Sequence, residues 1–322
     1  MTQGNGRPGP DVGFSPSDHP PRAAALMVFA LALLSLQDVI IKLTTGDFSI
    51  WQFQFLRAGC NMVLLLAAAR LLGWGRLTWP GRFWVVALRS ACVVGAMICF
   101  FGGVPVLSLA EIAAGLYLFP LIVTLLSRFV LGEAVGVQRL GAVAAGFCGS
   151  LLILQPAGDD FRMISLLPVG AAVFYACMVL VTRRLCREES PLTLAFGVAA
   201  MFLVIGGAGL VVLPMPQDAG ALGQTWPYLL TGWHALDGVM AVAVIACSVM
   251  NLTANICLAR AYQTAESSWL APYDYSYLVF AAVWGYVIWD TVPDALMAAG
   301  MVLIAVAGIF GAMRERRLAR LG

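Results

Sequence analysis

The sequence predicts an all-α membrane protein with ten transmembrane helices, arranged as two inverted repeats of five helices each. The first reason is composition, because 61% of the 322 residues are hydrophobic and only 11% are charged. Soluble domains carry about a quarter charged residues, so a water-soluble enzyme is excluded. The second reason is that the charges cluster between apolar stretches of about 20 residues, the length that spans a bilayer. The third reason is an internal repeat between the two halves of the chain.

The N-terminal segment differs from the rest of the chain. Residues 1–22 are rich in proline and glycine and contain almost no aliphatic side chains. Such a segment buries too little apolar surface to offset the entropy lost on ordering, so a disordered cytoplasmic tail is predicted. The apolar run that follows is long and ends on Asp38 and Lys42. It lacks the short core and small-residue cleavage site of a signal peptide, and we expect it to stay in the membrane.

Ten apolar segments follow the tail. The predicted spans are Ala23–Leu43, Ile50–Leu72, Phe83–Leu107, Leu109–Leu131, Gln138–Leu154, Ile164–Thr182, Pro191–Leu213, Leu236–Tyr262, Trp269–Trp289 and Ala295–Met313. The first five form a repeat over residues 23–157, and the last five form a repeat over residues 158–313. Residues 314–322 are expected to be a basic cytoplasmic tail.

The distribution of positive charge predicts the orientation of these spans. With the N-terminus inside, fifteen of the 19 Lys and Arg residues fall on the inner side, while Lys42 and Arg162 fall on the outer side. Cytoplasmic loops retain positive charge, so this asymmetry predicts a multi-pass protein of the inner membrane with both termini in the cytoplasm.

Other classes of partner and cofactor find little support in the composition. A net charge of +2 with no long basic run argues against nucleic-acid binding. The eight cysteines show no metal-site spacing and fall mostly within apolar stretches, so we interpret them as small core residues. We expect no cofactor and no metal. The bilayer and a small-molecule substrate are the predicted partners, and the oligomeric state does not follow from the sequence.

The second half of the chain repeats sequence features of the first half. Five spans is an odd number, so the second copy must run in the opposite direction through the membrane. Inverted repeats are a device of transporters, because exchanging the conformations of two equivalent halves exposes one site to each side in turn. The matching features are Ala110–Glu111 with Ala265–Glu266, Glu133 with Asp290, and Gly141 and Gly149 with Gly300 and Gly308.

Two long segments resemble a known family. LSLAEIAAGLYLFPLIVTLLSRFVLGE in the first half and YQTAESSWLAPYDYSYLVFAAVWGYVIWD in the second are similar to the EamA-type halves of the drug/metabolite transporter superfamily. The resemblance covers nearly everything after residue 22 and includes the YddG-type exporters of aromatic amino acids. It implies a central cavity lined mainly by spans one, three, four, six, eight and nine. Asp38 and Asp274 within spans depart from the YddG pattern.

Asp38 is the first candidate for a functional residue, because a charge within the hydrocarbon is expensive to bury. It lies near the predicted outer end of span one, with Gln37 beside it and Lys42 one turn further on. A structural ion pair with Arg57 or Lys42 is one interpretation. Binding of the substrate or of a proton is the other.

Asp274 is the second candidate, within the segment PYDYSYLVF of span nine. An acidic group surrounded by Tyr273, Tyr275 and Tyr277 suits a substrate ammonium and a substrate ring. Not all three rings can face inward, because neighbours are about 100° apart around a helix and alternate residues about 200° apart. A buried structural pair is the alternative. Tyr117, in the corresponding middle of span four, is a further candidate.

Amide and hydroxyl groups within the spans complete the candidate site. Asn251 and Asn255 are one turn apart in span eight, so they share a face that suits a carboxylate or an amide. They suit bonding between helices equally well. Tyr175 in span six is a candidate for lining the cavity. Glu111 begins span four, where its carboxylate serves either as a helix cap or as a functional group.

These features favour a secondary transporter of small metabolites that works by alternating access. Export of an aromatic or other neutral amino acid is the leading prediction from the resemblance, and movement of a vitamin or nucleoside-type metabolite, such as riboflavin or S-adenosylmethionine, is the alternative. An enzyme is disfavoured because HExxH, Walker A and GxSxG motifs are all missing from the sequence. Proton coupling through Asp38 or Asp274 is a further hypothesis.

Overall fold

The computed structural model describes residues 20–71, 79–130, 137–155, 163–186, 189–264, 270 and 273–319. Within these ranges the chain is helical and contains no strand. The helices are α1 Pro20–Leu43, α2 Ile50–Leu71, α3 Phe83–Gly102, α4 Leu109–Leu116, α5 Phe119–Val130, α6 Val137–Leu154, α7 Leu167–Leu185, α8 Pro191–Val212, α9 Ala221–Thr225, α10 Pro227–Leu230, α11 Gly238–Thr264, α12 Ser276–Trp289 and α13 Ala295–Ala319.

Each predicted span overlaps a helix in the described ranges, with α4 and α5 together forming span four. Six of these helices are long and apolar enough to cross a membrane, and three shorter helical segments are also apolar. The chain is therefore a multi-pass, all-α membrane protein, as predicted. α2 is not among the nine because Gln54, Arg57 and Asn61 make it more polar. The total of ten spans stays a prediction.

Local sequence explains where span four begins and breaks. Ser108 caps α4 by accepting a hydrogen bond from the Glu111 backbone amide at 3.2 Å, and the Glu111 carboxylate accepts one from the Ser108 amide at 2.7 Å. This reciprocal capping box confirms the capping interpretation of Glu111. The helix breaks at Tyr117 because Pro120 lacks the amide hydrogen that would continue it.

Several boundaries differ from the prediction. α3 ends at Gly102 and not at Leu107, since the chain turns at residues 103–107. α13 continues to Ala319 through most of the predicted basic tail. The predicted tail up to residue 19, the repeat boundary at 157–158, and the residues Glu133, Glu266 and Pro272 lie outside the described residues.

Helix packing follows a matched pattern. α1 packs on α11 and α3 packs on α7, while α2 packs on α8 and α6 packs on α13. Two further sets of contacts correspond in the same way. The contact of α3 with α8 corresponds to that of α2 with α11, and the contact of α1 with α12 corresponds to those of α7 with α4 and α5. Exchanging each span of the first half with its counterpart in the second half, span one with span six and so on, converts each of these contacts into itself or into another of them.

Small residues bring α6 and α13 together. A Cβ atom on Gly149 would lie 2.8 Å from the carbonyl oxygen of Gly300, and one on Gly300 would lie 2.5 Å from the carbonyl oxygen of Gly149. The two backbones are thus in direct contact, which is how glycine joins helices in a membrane. These two helices form a scaffold on the side of the bundle away from α2 and α8.

Contacts between connections define two ends of the bundle. The first end holds the connections at 44–49, 103–108, 213–237 and 290–294, and the second end holds residues 79–82, 186 and 189–190. Gln155 donates to the Asp294 carboxylate at 2.9 Å at the first end. At the second end the Gly81 amide donates to the Glu189 carboxylate at 3.0 Å. The alternation of ends agrees with the predicted order of spans.

Candidate functional site: a polar cavity beside a buried tyrosine cluster

A cavity of about 360 Å³ lies between α2, α3, α7, α8 and α11. It extends from the middle of the bundle towards the second end. Most of its wall is apolar, with Met97, Val198 and Phe202 among the lining residues. The polar residues that line it are Gln54, Arg57, Asn61, Arg89, Tyr175, Asn251 and Asn255.

One face of α2 supplies three of these polar groups. Gln54, Arg57 and Asn61 are spaced by three and four residues, so they share a single helical face. Gln54 is 3% exposed, and both its amide nitrogen and its amide oxygen have no hydrogen-bond partner in the part of the chain that the structure describes. The same holds for the side-chain oxygen of Asn61. Buried polar groups of a folded protein are normally bonded, so these atoms are suited to a ligand.

Arg57 is buried at 6% exposure on the same face. Its guanidinium carbon lies 5.7 Å from the ring centre of Phe53 and 5.3 Å from that of Phe101. Among the described residues it makes these two cation–π contacts but no hydrogen bond and no ion pair. The carboxylate of Asp38 is near enough to act on it electrostatically, but the two do not form the ion pair that was one interpretation of the sequence.

Arg89 approaches the cavity from α3. Its Nε atom donates to the hydroxyl of Thr182 at 2.9 Å, which fixes the plane of the guanidinium. Its Nη1 atom is buried and has no partner among the described residues. The side chain therefore presents a positioned but unsatisfied donor beside the cavity.

Asn251 and Asn255 line the cavity from α11, together with Tyr175 from α7. The Asn255 amide donates to the Asn251 backbone carbonyl at 2.8 Å and to its side-chain oxygen at 3.3 Å. This bonding confirms that the two amides share a face, as predicted. These three residues are the sequence candidates that the structure brings together at the cavity.

A second group of candidates forms a tyrosine cluster, which consists of Gln37, Asp38, Tyr117 and Tyr277. The Tyr277 hydroxyl donates a short hydrogen bond to the Asp38 carboxylate, and the Gln37 amide donates to its other oxygen at 3.4 Å. All four side chains are nearly fully buried. Asp38 is thus held between α1 and α12 by neutral donors.

The ring of Tyr117 lies at the centre of this cluster. It stacks on Tyr277 with ring centres 5.7 Å apart, and its hydroxyl donates to the backbone carbonyl of Asp274 at 2.9 Å. Phe119 continues the aromatic wall to Tyr175 at 4.8 Å. These rings lie between spans one, four and nine, and the cavity is lined by spans two, three, six, seven and eight. The lining implied by the family resemblance is therefore different from the one observed.

Asp274 and Tyr273 precede α12. Both are half-buried, and neither lines the cavity. Tyr273 packs against the main hydrophobic core. Among the described residues, the rings of Tyr117, Phe119 and Tyr175 connect Asp274 to the cavity.

The first end of the bundle is closed above this site by a group of contacts that we call the latch: Ser49, Trp51 and Gln52 with residues 229–234. The Ser49 hydroxyl donates to the Gly232 carbonyl at 2.6 Å, and the Trp51 ring nitrogen donates to the Leu229 carbonyl at 2.8 Å. Gln52 exchanges two hydrogen bonds with the His234 backbone, at 2.9 and 3.0 Å. The latch joins the start of α2 to the connection between α8 and α11.

His234 stiffens the latch from within. A hydrogen bond of 2.7 Å joins its Nε2 atom and the hydroxyl of Thr231. Burial lowers the pKa of His234, although Asp47 nearby acts in the opposite direction. The closed latch therefore favours the neutral imidazole.

A smaller contact at the second end corresponds to the latch in the matched packing. Glu189, just before α8, accepts hydrogen bonds from the backbone amides of Gly81 and Arg82 at 3.0 and 3.3 Å. It thus joins the start of α8 to the connection between α2 and α3, as the latch joins the start of α2 to the connection between α8 and α11.

The sequence is similar to several transporters, although no family model matches it. It is 32% identical over 201 residues to the riboflavin transporter of Vibrio cholerae, an alignment that covers 62% of this chain and 61% of that protein. It is 26% identical over 306 residues to the riboflavin transporter of Rhizobium johnstonii, covering 92% and 93%. The pseudopaline exporter of Pseudomonas aeruginosa is 26% identical, with 88% and 93% covered.

A solved structure shares the fold. The match has a TM-score of 0.61 at 17% identity and covers 93% of this chain and 99% of the other. The class of protein is thus a multi-pass helical membrane protein, similar over most of its length to proteins named as transporters of small metabolites.

Sequence reasoning missed part of the cavity. Gln54 and Asn61 were not among the candidates, and Arg57 was considered only as a structural partner of Asp38. The signal that could have found them is the spacing of three polar residues on one face of α2. Polar residues are costly within a membrane span, so a helical face that carries three of them indicates a polar site.

Proposed function

We propose that this protein is a secondary transporter of the drug/metabolite transporter superfamily, which moves a small metabolite across a bacterial inner membrane by alternating access. The observation that carries the proposal is a polar cavity in a helical bundle that is closed at one end by the latch. Similarity to named transporters over most of the chain supports it. With both termini in the cytoplasm, the latch lies on the outer side and the cavity on the cytoplasmic side.

The matched packing supports two inverted repeats as the machinery. Under exchange of the two halves, each contact between helices in an inverted repeat has a counterpart, and the pairs described above, which include the four most extensive ones, follow that rule. The latch and the Glu189 contact are such counterparts. In the alternate state, the latch opens while the packing at the second end tightens.

A metabolite with a conjugated ring and several hydrogen-bonding groups fits the cavity best, and riboflavin is the first substrate to test. Four amide side chains, Tyr175 and Phe202 line the wall. Two of the relatives reported above are named riboflavin transporters. Amino-acid export stays a prediction, but no carboxylate among the described residues lines the cavity to hold an ammonium group.

We assign the sequence candidates to two roles. Tyr175, Asn251 and Asn255 contact the substrate directly. The tyrosine cluster, with Tyr273 and Asp274 beside it, supports the wall and changes packing between the two states. Asp38 is the candidate for proton coupling, because it is a buried carboxylate at the contact between the two repeats.

The test is flux through the purified protein in proteoliposomes. Saturable riboflavin uptake, driven by substrate counterflow and competed poorly by phenylalanine, is the expected result. Gln54→Ala should raise the KM at least several-fold, because it removes a buried amide that has no partner among the described residues and is free to bond the substrate. Gln224→Ala provides the matched control, since Gln224 is exposed in the 213–237 connection and, among the described residues, its side chain donates to the Ala219 carbonyl there.

Other outcomes would discriminate between the substrates. Saturable flux of phenylalanine without riboflavin flux would support the amino-acid prediction. The absence of flux for riboflavin, phenylalanine and S-adenosylmethionine, with folded protein, would contradict the substrate proposal. If the transport rate of Asp38→Asn depends on pH as that of the parent protein does, Asp38 is not the group that couples transport to protons.

A further inference from the structure

The charges that line the cavity are all of one sign. Arg57 and Arg89 both face it, and no Asp or Glu of the described residues does so. Arginine keeps its charge at any physiological pH and offers only donors. A cavity in a membrane protein with two cations and no lining carboxylate has an electrostatic preference for anions.

The carboxylates nearby do not neutralise this charge by direct pairing. Asp38 is engaged by Tyr277 and Gln37 and acts on Arg57 at a distance without forming an ion pair, and Asp274 does not line the cavity. The remaining described carboxylates lie at the ends of the bundle. Within the described chain, the guanidinium of Arg57 has ring faces beside it but no bonded anion.

Unsatisfied polar atoms surround the same space. Arg57 is 6% exposed and Gln54 is 3% exposed, one helical turn apart, and the Gln54 amide has no partner in the described residues. Nη1 of Arg89 is also unpartnered there. Burying such donors is unfavourable unless something accepts from them, and an anionic oxygen is the strongest acceptor available.

We propose that the substrate carries an anionic group, a carboxylate or a phosphate, which binds at Arg57 and Gln54 in the depth of the cavity. Arg89, nearer the second end, attracts the anion and contacts the substrate as it enters. The amides of Asn61, Asn251 and Asn255 then contact the uncharged remainder. This inference rests on the proposed transport function and deepens its substrate class: a ring compound that carries an anionic group is preferred, and neutral riboflavin is carried with lower affinity.

The experiment compares two matched pairs of ligands on the purified protein: riboflavin with riboflavin 5′-phosphate, and nicotinamide with nicotinate. Each pair differs by one anionic group on a constant ring. We expect the anionic member of at least one pair to bind at least about ten-fold more tightly, the range for a charge-assisted hydrogen bond. The first pair reports a phosphate preference and the second a carboxylate preference.

Variants then locate the anion. Arg57→Gln should reduce the preference to within about two-fold, and Arg57→Lys should retain part of it, because the charge persists without the planar donor set. Arg89→Gln provides a second variant if Arg57→Gln does not fold. Arg22→Gln is the matched control, since Arg22 is exposed at the start of α1 and does not line the cavity.

The outcomes separate the inference from the transport function. Saturable riboflavin flux with equal affinity for charged and neutral members of both pairs would overturn the anion site and leave the transporter intact. A preference for anions that is unchanged in Arg57→Gln and in Arg89→Gln would also overturn it. Failure to bind any of the four ligands contradicts the anion site, and absence of all flux contradicts transport itself.

Discussion

Removal of the Gln52 side chain should open the first end of the bundle. Gln52 donates to the His234 carbonyl at 2.9 Å and accepts from the His234 amide at 3.0 Å, so Gln52→Ala removes two of the four hydrogen bonds of the latch. A net value of about 0.5–1.5 kcal/mol for each bond gives about 1–3 kcal/mol in favour of the open state. That free energy shifts the equilibrium about 5- to 150-fold.

Spin labels at Gly46 and Leu236 report this opening. Gly46 is exposed with open space around it, and Leu236 is 52% exposed, so the labels leave the latch undisturbed. Double electron–electron resonance in Gln52→Ala should show a longer distance that is rare in the parent protein. Gln224→Ala, an exposed glutamine in the same connection, should leave the distribution unchanged. Identical distributions in the parent protein and Gln52→Ala would refute the latch.

Three further predictions concern stability and pH. Gly149→Leu should lower the Tm, because a Cβ atom there lies 2.8 Å from the Gly300 carbonyl oxygen and overpacking costs about 1–3 kcal/mol. Gly141→Leu is the control and should leave the Tm unchanged, because the space around Gly141 is open. An equal fall in Tm for both variants would contradict close packing of α6 on α13. Burial lowers the pKa of His234, so its stabilisation of the latch is complete above the ordinary value near 6.5 and is lost as pH falls through the lower folded value. The label distance should therefore lengthen on acidification in the parent protein but not in His234→Gln. Tyr277→Phe removes a hydroxyl that donates to a buried carboxylate and should lower the Tm; an unchanged Tm would show that this bond contributes nothing.

The sequence was sufficient for the positions of the helices. Each predicted span overlaps a helix because length and apolarity are local properties that the bilayer selects directly. The capping box at Ser108 and Glu111 is likewise a local signal. The extension of α13 to Ala319 was missed, since charged residues end a hydrophobic span without ending a helix.

The candidate site was harder to predict because the sequence of a transmembrane helix does not show which of its faces points into the bundle. Asn251, Asn255 and Tyr175 were found through their polarity, and the structure places them at the cavity. Asp38 was a candidate because it is a charge within a span. In the structure it does not line the cavity, and its carboxylate accepts hydrogen bonds from Tyr277 and Gln37. Which face of each helix points inward depends on packing between distant spans.

Alternating access is the central claim, and accessibility of one cavity position from each side of the membrane tests it most directly. A single cysteine in place of Asn61, with the native cysteines replaced and transport activity verified, lies in the cavity beneath the latch. Membrane-impermeant thiol reagents should label it from the cytoplasmic side in the parent protein, and from the outer side once Gln52→Ala opens the latch. Labelling from the outer side that is equal with and without Gln52→Ala, or simultaneous access from both sides, would contradict the account.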